Sequence, residues 1–210
     1  GGLGNEVLTS LGGIDSLDGG AGNDRLTASD AGSRLAGGLG NDTLQGGAGI
    51  DAVTDTGGND LVDLGAGDDS FTASGDSSAN ADTISAGAGN DRILAGAGND
   101  LLLGGTGNDS LSAGAGNDRL TAGTGNDTLT GGLGSDVFVF ATGDGADRIT
   151  DFRIGTDDID LRGVAGLDSF ADLAGQMTQS GRAVVIQLDG LVITLDNVTT
   201  GALSAGDFLL

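Results

Sequence analysis

Fifteen acidic residues stand in one register along this chain, and each is followed two residues later by an apolar side chain. The acids are Glu6, Asp15, Asp24, Asp42, Asp51, Asp60, Asp69, Asp82, Asp91, Asp100, Asp109, Asp118, Asp127, Asp136 and Asp147. The apolar set runs from Leu8 and Leu17 to Phe138 and Ile149. Glycine-rich runs precede most of the acids: Gly19–Thr27 reads GGAGNDRLT, Gly37–Gln45 reads GGLGNDTLQ and Gly104–Ser112 reads GGTGNDSLS. Carboxylates stacked in such rows repel one another unless a counter-ion lies between them. A hard dication answers this need. Ca²⁺ takes about six to eight oxygen ligands, from carboxylates and backbone carbonyls, at roughly 2.3–2.6 Å. Glycine turns expose carbonyls, and position six of each unit adds a carboxylate. Mg²⁺ fits less well because it keeps its waters and demands stricter geometry. Zn²⁺ is disfavoured in a chain without His or Cys.

The elements that must position these acids follow from the period. The nine-residue frame runs from Gly1 to Thr72, is interrupted by Ala73–Asp76, and resumes from Ser77 to Val139. Phe140 and Ala141 intervene before a degenerate last unit, Thr142–Thr150. Position eight is apolar and its neighbours are mostly polar or small, so each unit carries a short alternating strand with one inward side chain. The six residues before it form a glycine-rich turn, where glycine supplies backbone angles closed to other residues. One inward residue per unit is too little for a core, but stacked units form a continuous apolar ladder at about 4.8 Å spacing. A lone Asn-Asp in a glycine context is an ordinary turn former. Repetition in frame excludes that reading, and with it a disordered Gly/Asp linker. The pattern predicts an all-β array of short stacked strands.

Composition narrows the function. Of 210 residues 44 are Gly, and Pro, Cys, His, Tyr and Trp are absent. Acids outnumber bases 31 to 8, a net charge of −23, which argues against nucleic acid and anionic membranes as partners. No apolar run reaches the roughly 18 residues of a membrane span. No signal peptide is legible at the N-terminus, and the chain reads as the C-terminal portion of something longer.

The unit is similar to G-G-x-G-x-D-x-U-x, the calcium-binding nonapeptide of RTX (hemolysin-type) proteins, over residues 1–150. The resemblance implies a right-handed parallel β-roll with two units per turn. It implies Ca²⁺ held between turns by position-six carboxylates and carbonyls of the glycine-rich stretch. The acids then form two edges: Glu6, Asp24, Asp42, Asp60, Asp82, Asp100, Asp118 and Asp136 on one, and Asp15, Ser33, Asp51, Asp69, Asp91, Asp109, Asp127 and Asp147 on the other. Carried onto this chain, the carbonyl-bearing glycines at positions two and four are Gly20, Gly22, Gly38, Gly40, Gly47, Gly49, Gly87, Gly89, Gly96, Gly98, Gly105, Gly107, Gly114, Gly116, Gly123, Gly125, Gly132 and Gly134. Ser33, in ASDAGSRLA, breaks both the glycine pattern and the acid row, so its two gaps are expected to bind weakly or not at all. The Ala73–Asp76 insertion is expected to bulge from the Asp60–Asp82 edge and distort it, and Asp147 to be a terminal ligand.

Residues 151–210 lose the period and read as a cap. Phe138, Phe140, Ile149, Phe152, Ile154, Ile159 and Leu161 would cover the open end of the roll, which would otherwise expose its core. Asp168 can cap a short helix running to about Met177. Asp189-Gly190 joins two alternating runs, Ala183–Leu188 and Leu191–Leu195, as a hairpin. The ending Leu203–Leu210 is similar to the C-termini of type I secretion substrates. Alternatively it forms an edge strand on the hairpin.

The resemblance therefore implies an extracellular, secreted calcium module that passes an ABC exporter unfolded and folds outside. Such a module would act as scaffold and secretion aid for a larger protein. A secreted enzyme (protease, lipase or polysaccharide-modifying) with its catalytic domain upstream, or an adhesin, are the alternatives. Without His, zinc-protease motifs and His-dependent triads are excluded from this segment. Asp157-Asp158 reads as a solvated turn.

Overall fold

The computed structural model describes residues 1–75, 80–167 and 169–210. Two long sheets face each other. The ten-stranded sheet begins Val7–Thr9, Arg25–Thr27, Thr43–Gly47 and ends Val137–Ala141, Asp158–Gly163, Phe208–Leu209. The eleven-stranded sheet begins Ser16–Ala21, Arg34–Leu39, Ala52–Asp55 and runs through Gly145–Ile149 to Leu191–Leu195, Ala183–Leu188 and Met177–Ser180. Consecutive strands of the repeat alternate between the sheets, so each lap of the solenoid spends two nonapeptides. Pairing within a sheet is parallel: Leu102 faces Ile84 on one side and Leu120 on the other, and Leu111 faces Ile93 and Leu129. The result is the all-β parallel solenoid that the resemblance implies.

Each unit turns two positions inward, not one. A typical strand, Arg119–Thr124, spans positions seven to nine of one unit and one to three of the next. Alternation then buries position eight and the following position one. Leu102, Leu111 and Leu120 fill the first role, and Ala95, Ala113 and Ala122 the second, all at most 1% exposed. The small residues at position one look like turn residues in the sequence. Here they let the sheets approach closely.

Glycine makes the laps stack. Gly38 has φ +113° and its α-carbon lies over the Gly20 carbonyl, so that a Cβ there would collide with that oxygen. The same relation joins Gly40, at φ +121°, to the carbonyl of Gly22. Carbonyl oxygens of positions two and four thus point along the roll into the gap between laps.

The final strands extend both sheets. Asp158–Gly163 adds in parallel to Val137–Ala141, with Ile159 opposite Phe138, and Phe208–Leu209 adds to it in turn. Leu191–Leu195 adds in parallel to Gly145–Ile149, and Ala183–Leu188 returns antiparallel, with Leu188 opposite Leu191 across Asp189-Gly190. Phe138, Phe140, Ile149, Phe152, Ile159 and Leu161 are buried, as expected of a cap, with the Phe138 and Phe152 rings 6.3 Å apart. Ile154 differs: it is 38% exposed, in the turn before Asp157.

Two further expectations are corrected. The helix stops at Ala174, because Gly175 follows and Met177–Ser180 is taken by antiparallel pairing with Ala183–Ile186. Its N-cap is Ser169, whose side chain accepts the Asp172 N–H; the expected cap, Asp168, lies outside the described residues. The last strand joins the roll beside Ile159 rather than the hairpin, since Phe208 is drawn into the core, 5.7 Å from the Phe170 ring.

Candidate metal centres

Every position-six aspartate in mid-array is placed by the same contact. Its Oδ1 accepts the backbone N–H of the corresponding residue one lap earlier. On one edge Asp24 donates to Asp42 and Asp42 to Asp60, both at 2.7 Å, and Asp100 to Asp118 at 2.8 Å. On the other edge Asp51 donates to Asp69 at 2.7 Å, Asp91 to Asp109 at 2.8 Å and Asp109 to Asp127 at 2.7 Å. The structure therefore brings the predicted acids together into the two expected rows. A second row runs outside them in the opposite sense. The N–H of Asn41 donates back to Asn23 Oδ1 at 2.9 Å, and that of Asn117 to Asn99 Oδ1 at 2.7 Å. The Asn of the Asn-Asp pair is thus a rung between laps rather than a local turn device.

The other carboxylate oxygen is left over. Oδ2 of Asp24, Asp42, Asp51, Asp60, Asp69, Asp91, Asp109, Asp118, Asp127, Asp136 and Asp147 is buried without a hydrogen-bond partner. It lies in the hollow of its own turn, over residue one: a Cβ on Gly104 would stand 2.8 Å from Asp109 Oδ2, and one on Gly46 2.8 Å from Asp51 Oδ2. Such orphans are costly, since burying an ionised carboxylate without compensation is strongly unfavourable. Burial pushes Asp42, Asp69, Asp91 and Asp109 up to about 6, opposed by the accepted N–H and reinforced by neighbouring carboxylates. The same causes push Asp118 and Asp147 up to about 7. An all-oxygen donor set of buried carboxylates and turn carbonyls fits a hard dication of the calcium type.

The predicted glycines at positions two and four hold positive φ, with three exceptions: Gly47, Gly49 and Gly98. Each exception stacks on a degenerate unit. Gly47 lies over Ser29, Gly49 over Ala31 and Gly32, and Gly98 over Asn80. At these three positions the lap below carries Ser29, Ala31 and Asn80 in place of a glycine in register.

The irregular positions are sharply placed. Ser33 is buried and donates its N–H to Asp51 Oδ1 at 2.6 Å, but the Asp15 N–H reaches its hydroxyl only at 3.4 Å. The Asp15 carboxylate is taken by the Ser10 hydroxyl. Across the insertion the rows hold: Asp60 donates to Asp82 at 2.9 Å and Asp69 to Asp91 at 2.7 Å, each over 22 residues instead of 18. The expected distortion is absent because the extra residues leave both strand registers intact on either side. Asp76 itself lies outside the described residues.

Two acids were missed by the period. Asp157, read as a solvated turn, is buried, and its Oδ1 accepts the Asp136 N–H at 3.2 Å. It continues the first row past the last nonapeptide, with Arg153 3.2 Å from it and 3.7 Å from Asp136. Asp157-Asp158-Ile159 reproduces positions six to eight, a signal hidden because only Gly155 remains of the glycine run before it. Asp55 stands at position one, where an inward residue belongs, and is 1% exposed. Burial, with the facing Asp60 and Asp42, pushes it up to about 9.

A family model described as the RTX calcium-binding nonapeptide repeat matches four stretches, residues 1–31, 35–72, 76–111 and 103–138. The breaks fall at 32–34, around Ser33, and at 73–75, in the insertion. Among solved structures, the extracellular lipase of Serratia marcescens is 18% identical with a TM-score of 0.43, over 90% of this chain and 40% of that one. A subunit of the mannuronan C5-epimerase of Azotobacter vinelandii is 28% identical with a TM-score of 0.38, over 63% of this chain and 80% of that one. This chain therefore spans 40% of the length of the lipase. A search of curated proteins returns no match.

Proposed function

The chain belongs to the RTX calcium-binding nonapeptide repeat family, and from that premise we propose that it is a secreted module whose folding is driven by Ca²⁺. The row of buried, unpartnered Oδ2 atoms carries this reading. We assign Asp24, Asp42, Asp51, Asp60, Asp69, Asp82, Asp91, Asp100, Asp109, Asp118, Asp127 and Asp136 as carboxylate ligands, with turn carbonyls of positions two and four completing each site. Ca²⁺ bound there supplies positive charge where the fold concentrates negative charge. The chain's own part is to hold each carboxylate by one oxygen and present the other. A ligand that binds only the folded state stabilises it by mass action, so the folded fraction tracks calcium.

Residues 1–150 act in this reading as the calcium array and 151–210 as its cap. The chain threads an ABC exporter unfolded where calcium is scarce and folds outside. The similarity of Leu203–Leu210 to type I secretion C-termini supports export. In the folded protein the same residues close the roll, with Ser204 and Asp207 forming a reciprocal cap and Phe208 buried. Its role is that of a folding scaffold for a larger secreted protein, with catalysis located elsewhere. The absence of His and Cys and the equivalence of the acids along each row support this. The test is circular dichroism in EDTA and then in millimolar Ca²⁺: a coil-like spectrum that turns cooperatively to β supports the reading, and a spectrum indifferent to Ca²⁺ defeats it.

A further inference from the structure

Position one of the unit is Gly, Ala, Ser, Leu or Thr throughout the sequence, except for Asp55. Being inward, this position places Asp55 against the acid row rather than in water. Its Oδ1 accepts the Gly38 N–H at 3.1 Å, and its Oδ2 has no partner. Asp42 and Asp60 each leave Oδ2 unpartnered at the same place, and all three side chains are at most 3% exposed. One carboxylate oxygen from each of the three lies within 4.8 Å of the others. Among the described residues, no arginine pairs with any of them.

We propose that Asp55 converts the gap between Asp42 and Asp60 into a three-carboxylate divalent-cation site, the tightest on this chain and the first to fill. The inference rests on the calcium reading above and sharpens it to one site. The regular gaps present two position-six acids, as between Asp109 and Asp127, and the two gaps beside Ser33 present one. This one adds a third from position one of Asp60's own unit. The space for it is cleared by Gly37: a Cβ there would stand 2.6 Å from Asp42 Oδ2 and collide with Asp55 Oδ1. Oxygen-site affinity for Ca²⁺ rises with the number of charged ligands and with site rigidity. Here both increase, since Asp55 is anchored by the Gly38 N–H and Asp42 and Asp60 by their rungs in the row. Without a cation the three buried carboxylates have no compensating charge, so this is also the place where metal-free folding is most opposed.

The experiment is a calorimetric Ca²⁺ titration of the full chain beside D55G and D55N. The first variant restores the residue type found at position one in Gly37, Gly46 and Gly104. The second keeps the shape and removes the charge. The unaltered chain is expected to show one class of site tighter than the rest. Both variants should lose that class, with its affinity falling about ten-fold or more, while the remaining sites keep theirs. Circular dichroism at saturating Ca²⁺ verifies that each variant folds, and either one alone suffices as the readout. If the variants fold and titrate like the parent, the proposal is overturned and the general calcium reading stands. If Ca²⁺ affinity is unchanged but D55N is more stable in EDTA, Asp55 is a protonated core residue, and the proposal is again overturned. A parent chain that takes up no Ca²⁺ overturns both.

Discussion

The backbone N–H of Asp109 donates to Oδ1 of Asp127 at 2.7 Å, and Asp127 Oδ2 stays buried without a partner. One oxygen builds the row, and the other is the atom that the proposed calcium site would use. Structural and binding roles can therefore be separated by substitution.

Asp109→Asn keeps an acceptor for the Asp91 N–H and removes the ligand charge. It should leave β-structure intact at high Ca²⁺ but raise the Ca²⁺ needed for half-folding several-fold. Melting at saturating Ca²⁺ should show a loss of about 1–3 kcal/mol, the size expected when a charged buried ligand is neutralised. Dichroism-monitored titrations and melts of the two proteins provide the comparison.

Acid should act in opposite directions with and without calcium. Burial raises Asp42, Asp69, Asp91 and Asp109 from 3.8 to about 6, and Asp118 and Asp147 to about 7. A group raised on folding adds stability below its unfolded value, and that stability is lost as pH rises through the folded value. In EDTA, then, β-structure should be greater near pH 4 and decline between about pH 4 and 7. In Ca²⁺ the carboxylates must be ionised to bind, so the half-saturating concentration should climb as pH falls below 7. Parallel dichroism series over pH 4–8 test both slopes.

The rows, their two edges and the hairpin at Asp189-Gly190 were legible in the sequence because each has a fixed spacing or a fixed turn dipeptide. Position one was not. Ala113 and Ala122 are small, follow a strand and lead into glycines, so they read as turn. Only the sheet pairing reveals that the strand continues through them. Asp157 was hidden for a related reason: Arg153-Ile154-Gly155-Thr156 replaces the glycine run, yet the sheet still places Ile159 opposite Phe138. The end of the helix was set by tertiary pairing of Met177–Ser180, which local propensity does not record.

Gly105→Ala should be among the most damaging single changes. Gly105 sits at φ +103° with its α-carbon against the Gly87 carbonyl, leaving no place for a methyl group. A loss of about 3 kcal/mol or more is expected, from strain and displaced laps together. Gly201→Ala, with open space around it and no positive φ, should change stability by less than about 0.5 kcal/mol. Thermal melts in Ca²⁺ distinguish them.

Ser33→Asp should complete the second row. With Ca²⁺ present the variant should melt higher, because Asp15, residue 33 and Asp51 would then form successive pairs of carboxylates. In EDTA it should melt lower, because a buried charge has been added without a partner. A variant that melts lower under both conditions would show that the missing glycines of this unit, rather than the missing acid, disable the gap.

Asp157→Ala should destabilise the C-terminal end by about 1–3 kcal/mol, through loss of the Asp136 rung and of the Arg153 contact. Asp158→Ala, at a half-buried outward position, should be nearly silent. Hydrogen exchange of the amides in Val137–Ala141 would localise the difference.

The four extra residues between Thr72 and Ser77 leave both rows and both sheets in phase, so the roll measures laps rather than chain length. A foreign peptide spliced after Gly75 should accordingly ride on the outside while the laps close beneath it. The seam is a natural port for display, and whatever it carries would be presented only in a calcium-replete medium.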